Sequence, residues 1–137
     1  MVILWATSMV DTDSSNYDEM VNNSYNIKDA FNGTTTLHWW HGDGLLLDYT
    51  NANAVAWWQD ALDNVLRLGI DGFKVDGTDP FIIEYLAPEG SSGPVTYREY
   101  ATDYYRHFFE YARAQNGEHC LIMSRPVDSY NVIGDEL

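Results

Sequence analysis

Gly69 to Pro80 reads Gly-Ile-Asp-Gly-Phe-Lys-Val-Asp-Gly-Thr-Asp-Pro, and this stretch decides the fold. A helical pattern ends at its first glycine, and a short apolar run then ends abruptly at Asp76. Phe73 and Val75 favour a β-strand, whereas Gly77 to Pro80 favour a turn. The stretch therefore predicts a buried parallel strand with a carboxylate at its exit, where catalytic groups collect in an α/β barrel.

Helical and extended patterns alternate on both sides of this strand. Apolar residues recur along one face of the preceding helix, and Thr96 with Glu99 forms a capping box that opens the following one. The predicted order is strand 2–7, a loop and a helix that opens near Tyr17, a short β-like segment 45–49, helix 53–68, strand 71–76, a loop 77–94, helix 96–115 and strand 120–124. Because strands that alternate with helices pair in parallel, the sequence predicts an α/β fold with a parallel sheet.

The composition excludes several classes of partner. The 137 residues are 45% hydrophobic and carry a net charge of −14, and aromatic residues make up 15%. Such an acidic surface repels phosphate backbones and anionic membranes, so we expect neither nucleic acid nor a membrane as partner. No stretch is long enough to span a membrane. The single cysteine, Cys120, excludes an internal disulfide and is predicted to be buried. Many aromatic side chains and carboxylates with few cations instead suit a neutral, polyhydroxylated ligand, which stacks on aromatic rings and donates hydrogen bonds to carboxylates.

A second segment, Leu37 to Leu47, concentrates aromatic and metal-binding residue types between glycines. His38 and His41 with Asp43 would allow a metal site, but Gly42 makes the segment a poor helical platform for one. We therefore predict a loop whose tryptophans pack a sugar or the core, and no metal or cofactor.

At this point the residues resemble glycoside hydrolase family 31, a retaining α-glucosidase and α-xylosidase family built on a (β/α)8 barrel. Phe73-Lys74-Val75-Asp76-Gly77 looks like the strand that bears the family's nucleophile. Gly42 to Trp58 is similar to the family's Asp-Phe-Thr-Asn-Pro segment and the paired tryptophans after it. Leu4-Trp5 ends a strand as a substrate-lining tryptophan of the family does, and Ser124-Arg125 stands where the family has a sugar-binding arginine.

The resemblance implies a role for each matching residue. Asp76 would be the catalytic nucleophile, and Lys74 would share its face of the strand, since alternate strand residues point the same way. The positive charge of Lys74 would keep the carboxylate ionised. Trp5 and Arg125 would bind the substrate, the first as a wall and the second through a sugar hydroxyl. The sequence departs from the family in the next turn, where Asp79 stands in place of a common glutamate.

Retaining hydrolysis needs a second carboxyl about 5 Å from the first, to act as acid and then base. Asp135 lies in a superficially similar Gly-Asp motif, but it follows Arg125 too closely for a crossover between parallel strands, which takes a dozen residues or more. We therefore expect the acid to lie beyond this chain. A whole barrel needs about 250 residues, so residues 1–137 would be a central fragment of three to four β/α units whose partner is the remainder of its barrel.

Other interpretations stay open at this stage. An α-amylase-type barrel has a similar nucleophile strand, although that family has arginine where this chain has Lys74. A non-catalytic carbohydrate-binding module could use Trp39 and Trp40, but such modules are mainly antiparallel β. An inactive fragment of a barrel is the third alternative. Among the other acids, we interpret Asp48 as one that fixes a loop and a helix start.

The chain alone is predicted to hydrolyse aryl α-glycosides poorly, because it holds a nucleophile without the paired acid. Release of the aryl group from an activated and an unactivated aryl α-glycoside measures this. Ordinary turnover by the 137-residue chain that is lost on Asp76→Asn would contradict the prediction.

Overall fold

The computed structural model describes residues 1–124. Their elements, in chain order, are β1 (Ile3–Ala6), β2 (Met9–Asp11), α1 (Tyr17–Asn22), β3 (Lys28–Asp29), β4 (Leu37–Trp39), β5 (Gly42–Leu46), α2 (Ala52–Leu66), β6 (Gly72–Val75), a 3₁₀ helix (Asp79–Glu84), β7 (Pro88–Gly90), β8 (Gly93–Pro94), α3 (Tyr97–Asn116) and β9 (Leu121–Ser124).

A parallel sheet in the order β1-β6-β9 forms the centre of the fold. Strand β6 lies in the middle and pairs with both neighbours, with Trp5 opposite Lys74 and Phe73 opposite Ile122. The segment β1-α2-β6-α3-β9 therefore alternates strand and helix, as the sequence predicts. Because the three strands run the same way, their carboxyl ends meet at one edge of the sheet, and Asp76 follows directly after the middle strand.

Glycines set the position of the middle strand. Gly69 ends the α2 segment with φ +80°, a left-handed conformation that favours glycine. A Cβ on Gly72 would lie 1.8 Å from the carbonyl oxygen of Leu121, so only glycine lets β6 approach β9 this closely. Phe73 and Val75 then point to the helix side and are 2% and 0% exposed.

The helices pack on one face of the sheet through Phe108 of α3. Its ring lies 5.9 Å from that of Phe73 on β6 and 6.1 Å from that of Trp58 on α2, both edge-on. The predicted capping box is present: the Thr96 hydroxyl accepts from the Glu99 amide while the Glu99 carboxylate accepts from the Thr96 amide. Sheet and helices thus share one aromatic core. None of the helices in residues 1–124 is long and apolar enough to cross a membrane.

Two segments that the sequence predicts as loops are wholly or partly strands. Leu37 to Leu46 forms the β4–β5 hairpin, which β2 extends to a three-stranded antiparallel sheet. Within residues 77–94 lie the 3₁₀ helix and the β7–β8 hairpin, which pairs with β3. Glycine disfavours strands in isolation, but pairing with a distant strand overrides that preference. Gly44 opposes Asp11 across the pair, and a side chain there would meet Met9 at 2.8 Å.

Gly72→Ala is expected to lower the free energy of unfolding by about 3 kcal/mol, because a methyl group there must push apart two paired backbones. Denaturant unfolding followed by tryptophan fluorescence measures the loss. Gly69→Ala is the matched control: it adds the same methyl group at a positive φ with nothing within 4 Å, so it carries only the left-handed penalty of about 1–2 kcal/mol. Equal losses in the two variants would contradict the steric argument.

Candidate active site

Asp76 is fixed at the edge of the parallel sheet by its own backbone. Its amide donates a hydrogen bond of 2.9 Å to the carbonyl of Ala6, which continues the pairing of β6 with β1 by one residue. The hydroxyl of Tyr104 on α3 donates a 2.7 Å hydrogen bond to the Asp76 carbonyl. The residue is 7% exposed, so its carboxylate has a restricted set of neighbours.

In the described part of the chain, the Asp76 carboxylate lies beside donors from Trp5, Gly77 and Lys74. The Trp5 indole Nε1 donates to Oδ2 over 2.8 Å, and the Gly77 amide donates to Oδ1 over 3.0 Å. The Lys74 Nζ lies 3.7 Å from Oδ2, as expected from its place two residues earlier on the same face. Hydrogen bonds and a nearby cation both favour the ionised form of a carboxylate. Because the lysine is partly exposed, its ion pair is worth no more than about 1 kcal/mol, so the indole is the stronger orienting contact.

An aromatic wall stands beside this carboxylate. Trp5 is 43% exposed, stacks on Trp39 at 6.0 Å and meets Trp40 edge-on at 5.9 Å. Asp11 of β2 anchors the β4–β5 hairpin. Its Oδ1 accepts a 2.6 Å hydrogen bond from the Trp39 indole, and its Oδ2 lies 2.5 Å from His41 Nδ1. Trp39 is thereby buried, whereas Trp40 is 73% exposed. An exposed indole beside a carboxylate can stack against the apolar face of a sugar ring.

Sequence reasoning did not place Trp40 in the site. The signal was present in the adjacent tryptophans, which we interpreted as packing either a sugar or the core. The hairpin gives one ring to each role: Trp39 enters the core and Trp40 faces outward. Trp39 is the last residue of β4, whereas Trp40 lies in the turn between β4 and β5, and this difference appears only once the segment is known to be a hairpin.

The two histidines of the hairpin do not converge. His38 Nδ1 lies 2.8 Å from Asp43 Oδ1, while His41 contacts Asp11 on another strand. In the part of the chain that the structure describes, no three His, Cys, Asp or Glu side chains are grouped as metal ligands.

Asp79, three residues after Asp76, is fully buried. It accepts hydrogen bonds from two tyrosine hydroxyls of α3, 3.0 Å from Tyr97 and 2.8 Å from Tyr105. Its carboxylate therefore belongs to the contact between the turn and helix α3.

Asp48 is also buried, at 1% exposure, and its contacts agree with the structural role inferred from sequence. Oδ1 accepts from the amide and the hydroxyl of Thr50, at 2.9 and 2.6 Å, just before helix α2 begins. Oδ2 accepts from the Ser91 amide at 2.7 Å, which fastens the β7–β8 hairpin to that helix start. Two further candidates, Arg125 and Asp135, lie outside the described residues.

The comparisons with known proteins decide the family. A model of the TIM-barrel domain of glycosyl hydrolases family 31 matches residues 1–127. The chain belongs to glycosyl hydrolase family 31. The alternative of an α-amylase-type barrel is therefore wrong.

This family 31 chain is similar to a glycosidase and to a transferase. It is 29% identical to the mouse (Mus musculus) myogenesis-regulating glycosidase over 146 aligned residues, which cover 99% of this chain and 20% of the relative. It is 32% identical to an isomaltosyltransferase of Sporosarcina globispora over 81 residues, which cover 58% of this chain and 7% of the relative. The chain thus spans a fifth or less of the length of these relatives.

A solved structure has a similar fold. The cycloalternan-forming enzyme of Listeria monocytogenes, in complex with a pentasaccharide substrate, superposes with a TM-score of 0.74 at 28% identity. The match covers 90% of this chain and 13% of that enzyme.

Asp48→Asn is expected to destabilise the protein by about 2 kcal/mol, because an amide NH₂ would face donors that now bind a carboxylate oxygen. Denaturant unfolding gives the free energy. Asp60→Asn on the exposed side of α2 is the matched control and should change stability by less than about 0.5 kcal/mol. An unchanged free energy of unfolding in Asp48→Asn would contradict the structural role of Asp48.

Proposed function

We propose that residues 1–137 are the central part of a (β/α)8 barrel that hydrolyses α-glycosidic bonds with retention of configuration. The observation that carries the proposal is the environment of Asp76: a carboxylate at the shared edge of parallel strands, oriented by Trp5 and 3.7 Å from Lys74. Catalytic groups of α/β barrels gather at that edge. Family membership supports the class of reaction.

In this proposal Asp76 is the nucleophile. One carboxylate oxygen attacks the anomeric carbon, and the bond to the glycosidic oxygen breaks, giving a covalent glycosyl–aspartate. The leaving oxygen takes a proton from a general acid. The resulting base then removes a proton from water, which attacks the same carbon and returns the carboxylate of Asp76. These steps use no cofactor.

Other residues of the chain bind the sugar in this proposal. Trp5 and Trp40 present indole surface beside the nucleophile and would stack on the ring of the first sugar. Lys74 would keep Asp76 ionised and donate to a hydroxyl. Arg125 keeps the role that the family resemblance implies, as donor to a second hydroxyl.

The general acid is proposed to come from the remainder of the barrel. It must stand about 5 Å from Asp76 for a retaining mechanism. The described acids nearby do not suit the role: Asp79 is buried among tyrosines and Asp48 binds backbone amides. The three parallel strands β1, β6 and β9 would supply part of the eight that a barrel needs.

Transfer to a second sugar is an alternative outcome of the same intermediate. The similarity to an isomaltosyltransferase and to a cycloalternan-forming enzyme favours it. A sugar hydroxyl would then replace water as the attacking group, and everything that Asp76 does would be unchanged. Product analysis with the full-length protein separates the two: free sugar indicates hydrolysis, and longer or rearranged oligosaccharides indicate transfer.

The nucleophile is tested by covalent trapping. The full-length protein containing this chain is incubated with 5-fluoro-α-D-glucosyl fluoride or its xylosyl counterpart, and peptide mass spectrometry locates the label. We expect it on Asp76. Asp76→Asn should abolish labelling and lower turnover by at least about 10⁴-fold, as for other covalent nucleophiles.

Asp71→Asn is the matched control, since Asp71 precedes the same strand and accepts a hydrogen bond from the Val2 amide at the opposite edge of the sheet. It should keep both labelling and turnover. Label on a carboxylate other than Asp76, or unchanged turnover in Asp76→Asn, would overturn the proposal.

A further inference from the structure

The turn that follows Asp76 is buried and bound to neighbouring elements on two sides. Thr78 in this turn is 2% exposed, and its hydroxyl lies 3.1 Å from the Thr7 hydroxyl and 2.7 Å from that of Ser8, just beyond β1. The Ser8 amide donates to the same oxygen at 3.3 Å. One hydroxyl therefore ties the turn to the end of the neighbouring strand.

On its other side the turn is tied to helix α3. Asp79 accepts from Tyr97 at 3.0 Å and from Tyr105 at 2.8 Å, and the intervening Tyr104 donates to the Asp76 carbonyl at 2.7 Å. The rings of Tyr104 and Tyr105 lie 4.8 Å apart. Adjacent tyrosines of one helix thus bind the nucleophile's own backbone and the carboxylate three residues later.

These tyrosines remain donors. Burial, and next the negative charge of Asp79, raises the pKa of Tyr105 far above its usual value. Burial also raises the pKa of Tyr104. Both hydroxyls therefore keep their protons at neutral pH and can donate to Asp79 and to the Asp76 carbonyl.

We propose that Asp79 is a positioning residue: with Tyr97 and Tyr105 it fixes α3 against the turn, so that Tyr104 holds the backbone of Asp76 in the place from which its carboxylate attacks. The inference rests on the proposed function of Asp76. Its physical basis is that attack on a carbon requires the reacting atoms within about 3–3.5 Å and aligned, so that displacements near 1 Å cost about 100-fold in rate. In this proposal Asp79 acts through the tyrosines of α3 and is not itself a catalytic residue.

Chain geometry provides a matched pair of variants. Tyr105→Phe removes the hydrogen bond from a tyrosine hydroxyl of α3 to the Asp79 carboxylate, which lies in the turn after the nucleophile. Tyr111→Phe removes one hydroxyl of the same helix from another carboxylate, Asp63 of α2, at a distance of 2.5 Å. The chemical change is the same, and both variants lose a contact that holds α3.

The experiment measures trapping by 5-fluoro-α-D-glucosyl fluoride in the full-length protein. Fluoride leaves with little help from an acid, so the trapping rate reports on the attack by Asp76. We expect Tyr105→Phe to lower the maximal trapping rate at least about tenfold. The inhibitor's dissociation constant should stay within about twofold of the wild-type value, so that the loss is confined to the chemical step. Tyr111→Phe should change neither quantity more than about twofold.

Denaturant midpoints of both variants separate positioning from stability. Equal rate losses in the two variants, or an unchanged rate in Tyr105→Phe, would overturn the positioning role while leaving the proposed nucleophile intact. A wild-type protein that carries no label on Asp76 would overturn the proposed function and this inference with it. If Tyr105→Phe does not fold, Tyr97→Phe removes the other hydroxyl from Asp79 and is judged by the same criteria.

Discussion

The 2.8 Å hydrogen bond from the Trp5 indole to Asp76 joins two residues that lie 71 positions apart in the chain. It exists only because β1 and β6 pair in parallel and in one register, which sets Trp5 opposite Lys74. A shift of that register by one residue would turn the side chains of one strand to the other face of the sheet. The close approach of β6 to β9 at Gly72 helps to hold the middle strand in that register. The contact between Trp5 and Asp76, the proposed nucleophile, is thus a consequence of strand pairing.

The buried acids of the chain differ in what they bind, and this difference separates structure from chemistry. Asp29 and Asp48 accept hydrogen bonds from backbone amides of other segments, so each fixes a loop. Asp79 accepts from tyrosine hydroxyls on a helix. Within residues 1–124, Asp76 has the Trp5 indole and the Lys74 ammonium group as neighbours, both on side chains that are partly exposed. A carboxylate held by exposed groups remains within reach of a ligand.

The sequence was sufficient for what depends on local pattern. The strand that ends before Asp76, the helix stop at Gly69 and the Thr96 capping box each follow from neighbouring residues, and all agree with the structure. The β4–β5 hairpin was missed because its partner, β2, lies some thirty residues away and its glycines argue against a strand. The hydrogen bonds from Tyr97 and Tyr105 to Asp79 were not predicted. Periodicity shows that a tyrosine is inward, but it does not reveal which polar group its hydroxyl meets.

The resulting site is divided between elements of different kinds. Asp76 and Lys74 belong to the middle of a parallel sheet, where two neighbouring strands and a helix determine the backbone. Trp40 belongs to a hairpin that is anchored to β2 through Asp11 and pairs with no strand of that sheet. Changes at Trp40 can therefore alter the exposed aromatic surface beside Asp76 while the strand pairing that places the carboxylate is kept, since Trp40 meets Trp5 edge-on. Binding surfaces on loops and hairpins over a rigid scaffold allow this separation. It is consistent with a family in which relatives of this chain carry the names of both a glycosidase and a transferase.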